Sequence, residues 1–111
     1  MTVTARQVLE MATINGAWDL GIGDRTGSLT PGKRADLILV RTTDLNMAPL
    51  NVLDGQVVLA AQPQNVDTVF IDGVPRKRAG ELVGLDRRAL VDDVTAAMAD
   101  LNARVGTPLA G

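Results

Sequence analysis

Histidine is absent from this 111-residue chain, and that absence removes the commonest general base and the commonest metal ligand together. Cysteine is absent too, which excludes a disulfide framework and thiolate chemistry and fits a reducing compartment, so a cytoplasmic location is expected. One tryptophan, one phenylalanine and no tyrosine leave the core to be built from leucine, valine, isoleucine and alanine. The 11 basic and 13 acidic residues nearly cancel to a net charge of −2, which gives no electrostatic footprint for nucleic acid or an anionic membrane. No apolar run approaches the ~20 residues that cross a bilayer, and the N-terminus lacks the basic and then apolar segments of a signal peptide, so a soluble protein is expected. What is present, 46% apolar residues over the length of one ordinary domain, normally buries enough surface to fold alone.

The chain is organised around Gly27 to Arg41, reading GSLTPGKRADLILVR. Pro31 pre-sets φ at the second position of a tight turn and Gly32 supplies the positive φ that a type II turn requires at the third, so Leu29 to Lys33 reverses the chain. Leu37 to Val40 follows as a continuous apolar run, the pattern of a strand covered on both faces.

Upstream, Thr4 and Gln7 have the spacing of a capping box, so a helix begins at Ala5 with Ala5, Val8, Leu9 and Ala12 on one apolar face. Thr13 or Asn15 caps a second short helix carrying Ala17, Trp18 and Leu20, which Gly21 stops. The glycines of Gly21 to Gly27 do not make a dinucleotide loop: Thr26 stands where the third glycine belongs, and a helix precedes where a strand is needed. Gly32-Lys33 does not end a phosphate-binding Walker loop either, because Arg34 follows the lysine instead of serine or threonine.

Residues 42–51 read as a surface loop, and Val52 to Ala61 as a short helix. Val66 to Ile71 is a strand, Asp72-Gly73 a type I′ hairpin turn, and Val74 to Arg78 the returning strand, with Pro75 and the Arg76-Lys77-Arg78 triplet blunting an exposed edge. Glu81 to Val83 is a further short strand. Asp86 caps a last helix whose stripe of Leu90, Val94, Ala97, Met98, Leu101 and Val105 is the cleanest helical period in the chain, closed by Gly106 with Pro108 beyond. Its opposite face mixes Arg87, Arg88, Asp92, Asp93 and Asp100, which favours packing onto its own domain over a membrane surface.

Three blocks in this order carry a resemblance: Ala12-Thr13-Ile14-Asn15-Gly16-Ala17 with Leu20-Gly21, the Gly27 to Arg41 stretch, and Val66 to Val74. Together they resemble the end of the amidohydrolase superfamily, in the branch of cytosine-, guanine- and adenosine-type deaminases and triazine chlorohydrolases. The resemblance implies an α+β fold with a small mixed or antiparallel sheet, half of the composite β domain of metal-dependent hydrolases, flanked by N-terminal and C-terminal helices. It divides the chain into helices resembling the end of the hydrolase barrel at 1–22, a composite-type β domain at 23–84, and a C-terminal helix and tail at 85–111.

The superfamily's chemistry is metal-assisted hydrolysis, in which one or two divalent cations, zinc or iron, activate a water. The resemblance implies four histidine ligands and an aspartate for a whole enzyme, and no position of this chain matches them. Asp24 belongs to a turn, Asp36 opens a strand, Asp72 sits in the hairpin, Asp86 is a cap, and Asp92 and Asp93 point to different helix faces. No catalytic, cofactor-binding or metal-binding residue is therefore expected, and no cofactor in this chain. Two readings stand. The chain is the C-terminal structural part of a metal-dependent amidohydrolase, inactive alone, or it is an independent small oligomerisation or binding module. Its expected partner is another copy or the remainder of the enzyme; a homo-oligomer would form by edge-to-edge strand pairing or exchange of the N-terminal helices, with the last helix packed on the sheet.

Overall fold

The computed structural model describes residues 2–106 of the chain. The first helical element, α1, runs Ala5–Glu10 behind the expected capping box, in which the Gln7 amide donates to Thr4 Oγ1 at 3.2 Å and Gln7 Oε1 accepts from the Thr4 amide at 2.9 Å. The helix then widens into one π-helical stretch, Met11–Asn15, and continues as α2, Gly16–Asp19. The predicted break and second cap do not occur. Asn15 has helical φ and ψ, and the Thr13 hydroxyl donates back to the Leu9 carbonyl at 2.6 Å instead of forward to a new first turn. The Gly16 amide reaches the Met11 carbonyl five residues back, and a Cβ at position 16 would lie 3.0 Å from that oxygen, so glycine is what lets the wide turn close.

Gly21 ends the helix at φ 71°, and the chain returns along it through residues 22–28. Gly27 makes the return possible. It sits at φ 87°, and a Cβ there would stand 2.6 Å from the Ala17 Cβ and 3.0 Å from the Ile14 Cα. Lys33 pins the same segment by donating from Nζ to the Gly23 and Thr26 carbonyls, the latter at 3.1 Å. The expected turn is present, with Gly32 at φ 92° and the Lys33 amide bonded to the Thr30 carbonyl at 3.1 Å.

The sheet is antiparallel throughout, in the order β1 (Leu37–Val40), β2 (Val66–Ile71), β3 (Val74–Arg78), β4 (Glu81–Leu82). Leu37 lies opposite Phe70 and Ile38 opposite Val69. Asp72 at φ 51° and Gly73 at φ 75° form the expected hairpin turn. Between β1 and β2 come a 3₁₀ turn at Leu45–Met47, α3 at Leu53–Ala60, which packs on α1, and a second 3₁₀ turn at Pro63–Asn65.

Two expectations of packing are corrected. Strand β1 is not covered on both faces: it is the edge of the sheet, and Ile38 and Leu39 stay 55% and 52% exposed. Helix α4, Arg87–Val105, capped by Asp86 through the Arg88 and Ala89 amides, does not pack on the sheet, and its apolar stripe is exposed. The radius of gyration is accordingly 18.9 Å, against about 13 Å for a compact domain of this length. Among the described residues the buried apolar side chains are Ala17 and Met47, so the aliphatic core that composition suggests is not closed within one copy. Gly106 at φ 69° ends α4 as expected, and Pro108 lies outside the described residues.

Both Gly27 and Gly73 hold positive φ, yet open space surrounds Gly73 while Ala17 crowds Gly27. Gly73→Val is expected to destabilise the fold by roughly 1 kcal/mol or more. Gly27→Ala should lower the melting temperature further than Gly73→Ala, and equal shifts would show that the close approach to Ala17 contributes nothing.

Candidate functional site

Two constructions stand out, one polar and closed, the other apolar and open. The polar one centres on Asn65, fully buried at the mouth of β2. Its Oδ1 accepts from the Gln62 amide at 2.7 Å and from Asn46 Nδ2 at 2.8 Å, and its Nδ2 donates to Asp44 Oδ2 at 2.7 Å and Asn46 Oδ1 at 3.0 Å. All four hydrogen-bonding positions of the amide are used. Arg41, at the end of β1, completes the group: Nε donates to Asp44 Oδ2 at 3.2 Å, Nη1 to Asp67 Oδ1 at 3.0 Å, and Nη2 to the Gln64 carbonyl. Thr68 donates to Asp67 Oδ2 at 2.8 Å. Asn46 also reaches the Ala60 carbonyl, and Gln56 the Met47 and Pro49 carbonyls, so loop 42–51, α3 and the start of β2 are tied together.

This cluster's chemistry is structural. The Asn65 amide and the Arg41 guanidinium hold the Asp44 carboxyl below the usual carboxylate range, and Thr68 with Arg41 does the same for Asp67. In return Asp67 and Asp44 raise Arg41. Both carboxylates are already spent on a cation and neutral donors, which leaves no ligand set for a divalent metal. Among the described residues no three His, Cys, Asp or Glu side chains gather as metal ligands. Sequence reasoning missed the cluster: residues 42–51 read as a surface loop, and nothing in the local pattern singles out Asn65. The available signal was Asp44, Asn46 and Asn65 flanking two apolar segments.

The open construction is a groove of about 660 Å³ between the α1–π–α2 helix, the returning segment and β1, lined chiefly by Ala17, Leu20, Ile22, Leu29, Leu37 and Phe70. Its polar margin is already engaged: Thr13 bonds its own helix, Ser28 and Thr30 hydroxyls meet at 2.9 Å, and Thr26 donates to Asp36 Oδ2 at 3.1 Å. Asp36 does more than open a strand, since its Oδ1 accepts from the Asp72 amide at 2.6 Å and so ties the hairpin to the return. Asp24 lies 3.9 Å from Arg25, and Asp72 lies 3.7 Å from Arg34. With aliphatic walls and hydroxyls already bonded, the groove presents an apolar surface with few free hydrogen-bonding groups.

An antiparallel sheet beside a helix, with an open apolar groove between them, defines an α+β unit. Residues 1–76 match the amidohydrolase family, and the chain belongs to that family. It is 41% identical over 96 residues to the 5-methylthioadenosine/S-adenosylhomocysteine deaminase of Moorella thermoacetica, covering 86% of this chain and 22% of that protein. It is 34% identical over 100 residues to the 5′-deoxyadenosine deaminase of Methanobrevibacter smithii, covering 89% and 23%. Among solved structures, a zinc-bound adenosine deaminase from Xanthomonas campestris superimposes with a TM-score of 0.87 at 36% identity, over 90% of this chain and 23% of that one. The zinc complex of an atrazine chlorohydrolase from Arthrobacter aurescens TC1 gives 0.76 at 25% identity, over 84% and 20%. The chain thus spans about a fifth of the length of the relatives it matches.

The depressed Asp44 and Asp67 carboxyls set a pH dependence. A carboxyl whose folded pKa lies below its unfolded value of about 4 adds stability that is fully present above that value and lost as pH falls through the folded pKa. The melting temperature should therefore fall steeply below about pH 4, and Asp44→Asn should flatten that fall while lowering stability at neutral pH. An unchanged acid limb in Asp44→Asn would exclude the cluster as its source.

Proposed function

We propose that this chain is the C-terminal structural part of a metal-dependent amidohydrolase that acts on non-peptide carbon–nitrogen bonds as a deaminase, and that it has no turnover alone. The observation that carries the reading is the apolar groove beside an uncovered β1, in a chain that matches a fifth of much longer deaminases. Residues 1–22 and the edge strand are surfaces for the rest of such an enzyme, residues 23–84 a β unit that this remainder completes, and residues 85–111 a helical extension. The metal, zinc in the structural neighbours, belongs on this reading to the remainder, because histidine is absent here and Asp44 and Asp67 are committed to Arg41. The higher identity to adenosine-type deaminases than to the chlorohydrolase favours a 6-aminopurine nucleoside as substrate of the whole enzyme, acting in the cytoplasm.

The alternative, an independent binding or oligomerisation module, draws on one observation: the Asn65 cluster satisfies its own buried polar groups without outside help. Among the described residues no helix is long and apolar enough to cross a membrane.

The purified chain, supplied with zinc or ferrous iron and an adenosine-type nucleoside, should release no ammonia above background. Chelator-sensitive deamination by this chain would overturn the proposal.

A further inference from the structure

Helix α4 offers a second apolar surface, apart from the groove. Leu90, Val94, Met98, Leu101 and Val105 remain between 45% and 63% exposed, and a 19-residue helix of about 28 Å has little stability without a packed face. Its pattern says what covers it. The stripe reads the same from either end: run antiparallel to itself, Leu90 meets Val105, Val94 meets Leu101, and Ala97 meets Met98. We infer that α4 pairs with α4 of a second copy of this chain, antiparallel, about a two-fold axis between Ala97 and Met98.

The flanks agree with that partner. An antiparallel pair brings like flanks together, and one flank carries Asp93, Asp100 and Arg104. Arg104 already holds Asp100 of its own helix at 2.9 Å, and pairing sets Asp93 of the second copy level with position 102, about 3 Å along the axis from Arg104, so one guanidinium bridges two carboxylates. The antiparallel arrangement also opposes the two helix dipoles and lays Arg87 and Arg88 beside the C-terminal carbonyls of the second helix. An unrelated partner would have to supply each of these features separately; a second copy supplies them all by symmetry.

The absence of native cysteine makes the test direct. The full chain should sediment at twice its 11.7 kDa at micromolar concentration, and Leu101→Asp should return it to one mass and lower its helical circular dichroism. Under mild oxidation Met98→Cys should cross-link to itself. Leu90→Cys should cross-link to Val105→Cys in a mixture but not to itself, and Ala96→Cys, on the opposite face, should form no cross-link. A wild-type monomer at these concentrations overturns the inference. So does a dimer that cross-links through Ile38→Cys on the β1 edge and not through Met98→Cys. Neither outcome touches the proposed parentage of the chain, which rests on the groove and on activity.

Discussion

The fold depends on the full satisfaction of one buried amide. Asn65 sits where β2 begins, and an unpaired carboxamide there would cost roughly 1–3 kcal/mol in a molecule with almost no closed apolar core to offset it. Each of its bonds therefore fixes a neighbour: Gln62 sets the 3₁₀ turn before the strand, Asn46 the 3₁₀ turn after β1, and Asp44 the place of Arg41. Arg41 in turn holds the ends of β1 and β2 together, with its own amide bonded to the Asn65 carbonyl at 2.8 Å. Because these groups sit between α3 and the sheet, the helix pair α1–α3 and the strand pair β1–β2 are placed by the same few hydrogen bonds.

That order on the polar side contrasts with incompleteness on the apolar side. The Gly27 return brings Ile22 and Leu29 against the helix, Asp36 ties the return to the hairpin, and the result is a groove with no occupant among the described residues. Leaving such walls in water forgoes about 25 cal/mol for each Å² of apolar surface not buried. The relatives that this unit matches are about five times as long.

Local structure was legible in the sequence wherever a few residues decide it: the Thr4–Gln7 box, the Pro31-Gly32 turn, the Asp72-Gly73 hairpin and the Asp86 cap all act over three or four positions. The family was legible too, because three such local blocks occur in its order. What failed was whatever depends on partners distant in the chain. The apolar run Leu37 to Val40 reads as doubly covered because every position is apolar, yet Ile38 and Leu39 are more than half exposed in the folded chain. Thr13 and Asn15 both suit a helix cap by residue type, but the Thr13 hydroxyl donates back to the Leu9 carbonyl and Asn15 keeps helical φ and ψ, so neither starts a new helix. The Asn65 cluster joins residues more than twenty positions apart, which no local pattern records.

The central claim is that the groove receives the remainder of an amidohydrolase. Methyl spectra of the labelled chain, recorded while titrating in an adenosine-type deaminase relative from which the corresponding segment has been removed, test it most directly. The account predicts that the methyl signals of Ile22, Leu29 and Leu37 shift and saturate, while those of Leu45 and Leu59, outside the groove, keep their positions. Groove signals that stay unmoved at saturating partner, or shifts confined to Leu45 and Leu59, would contradict it.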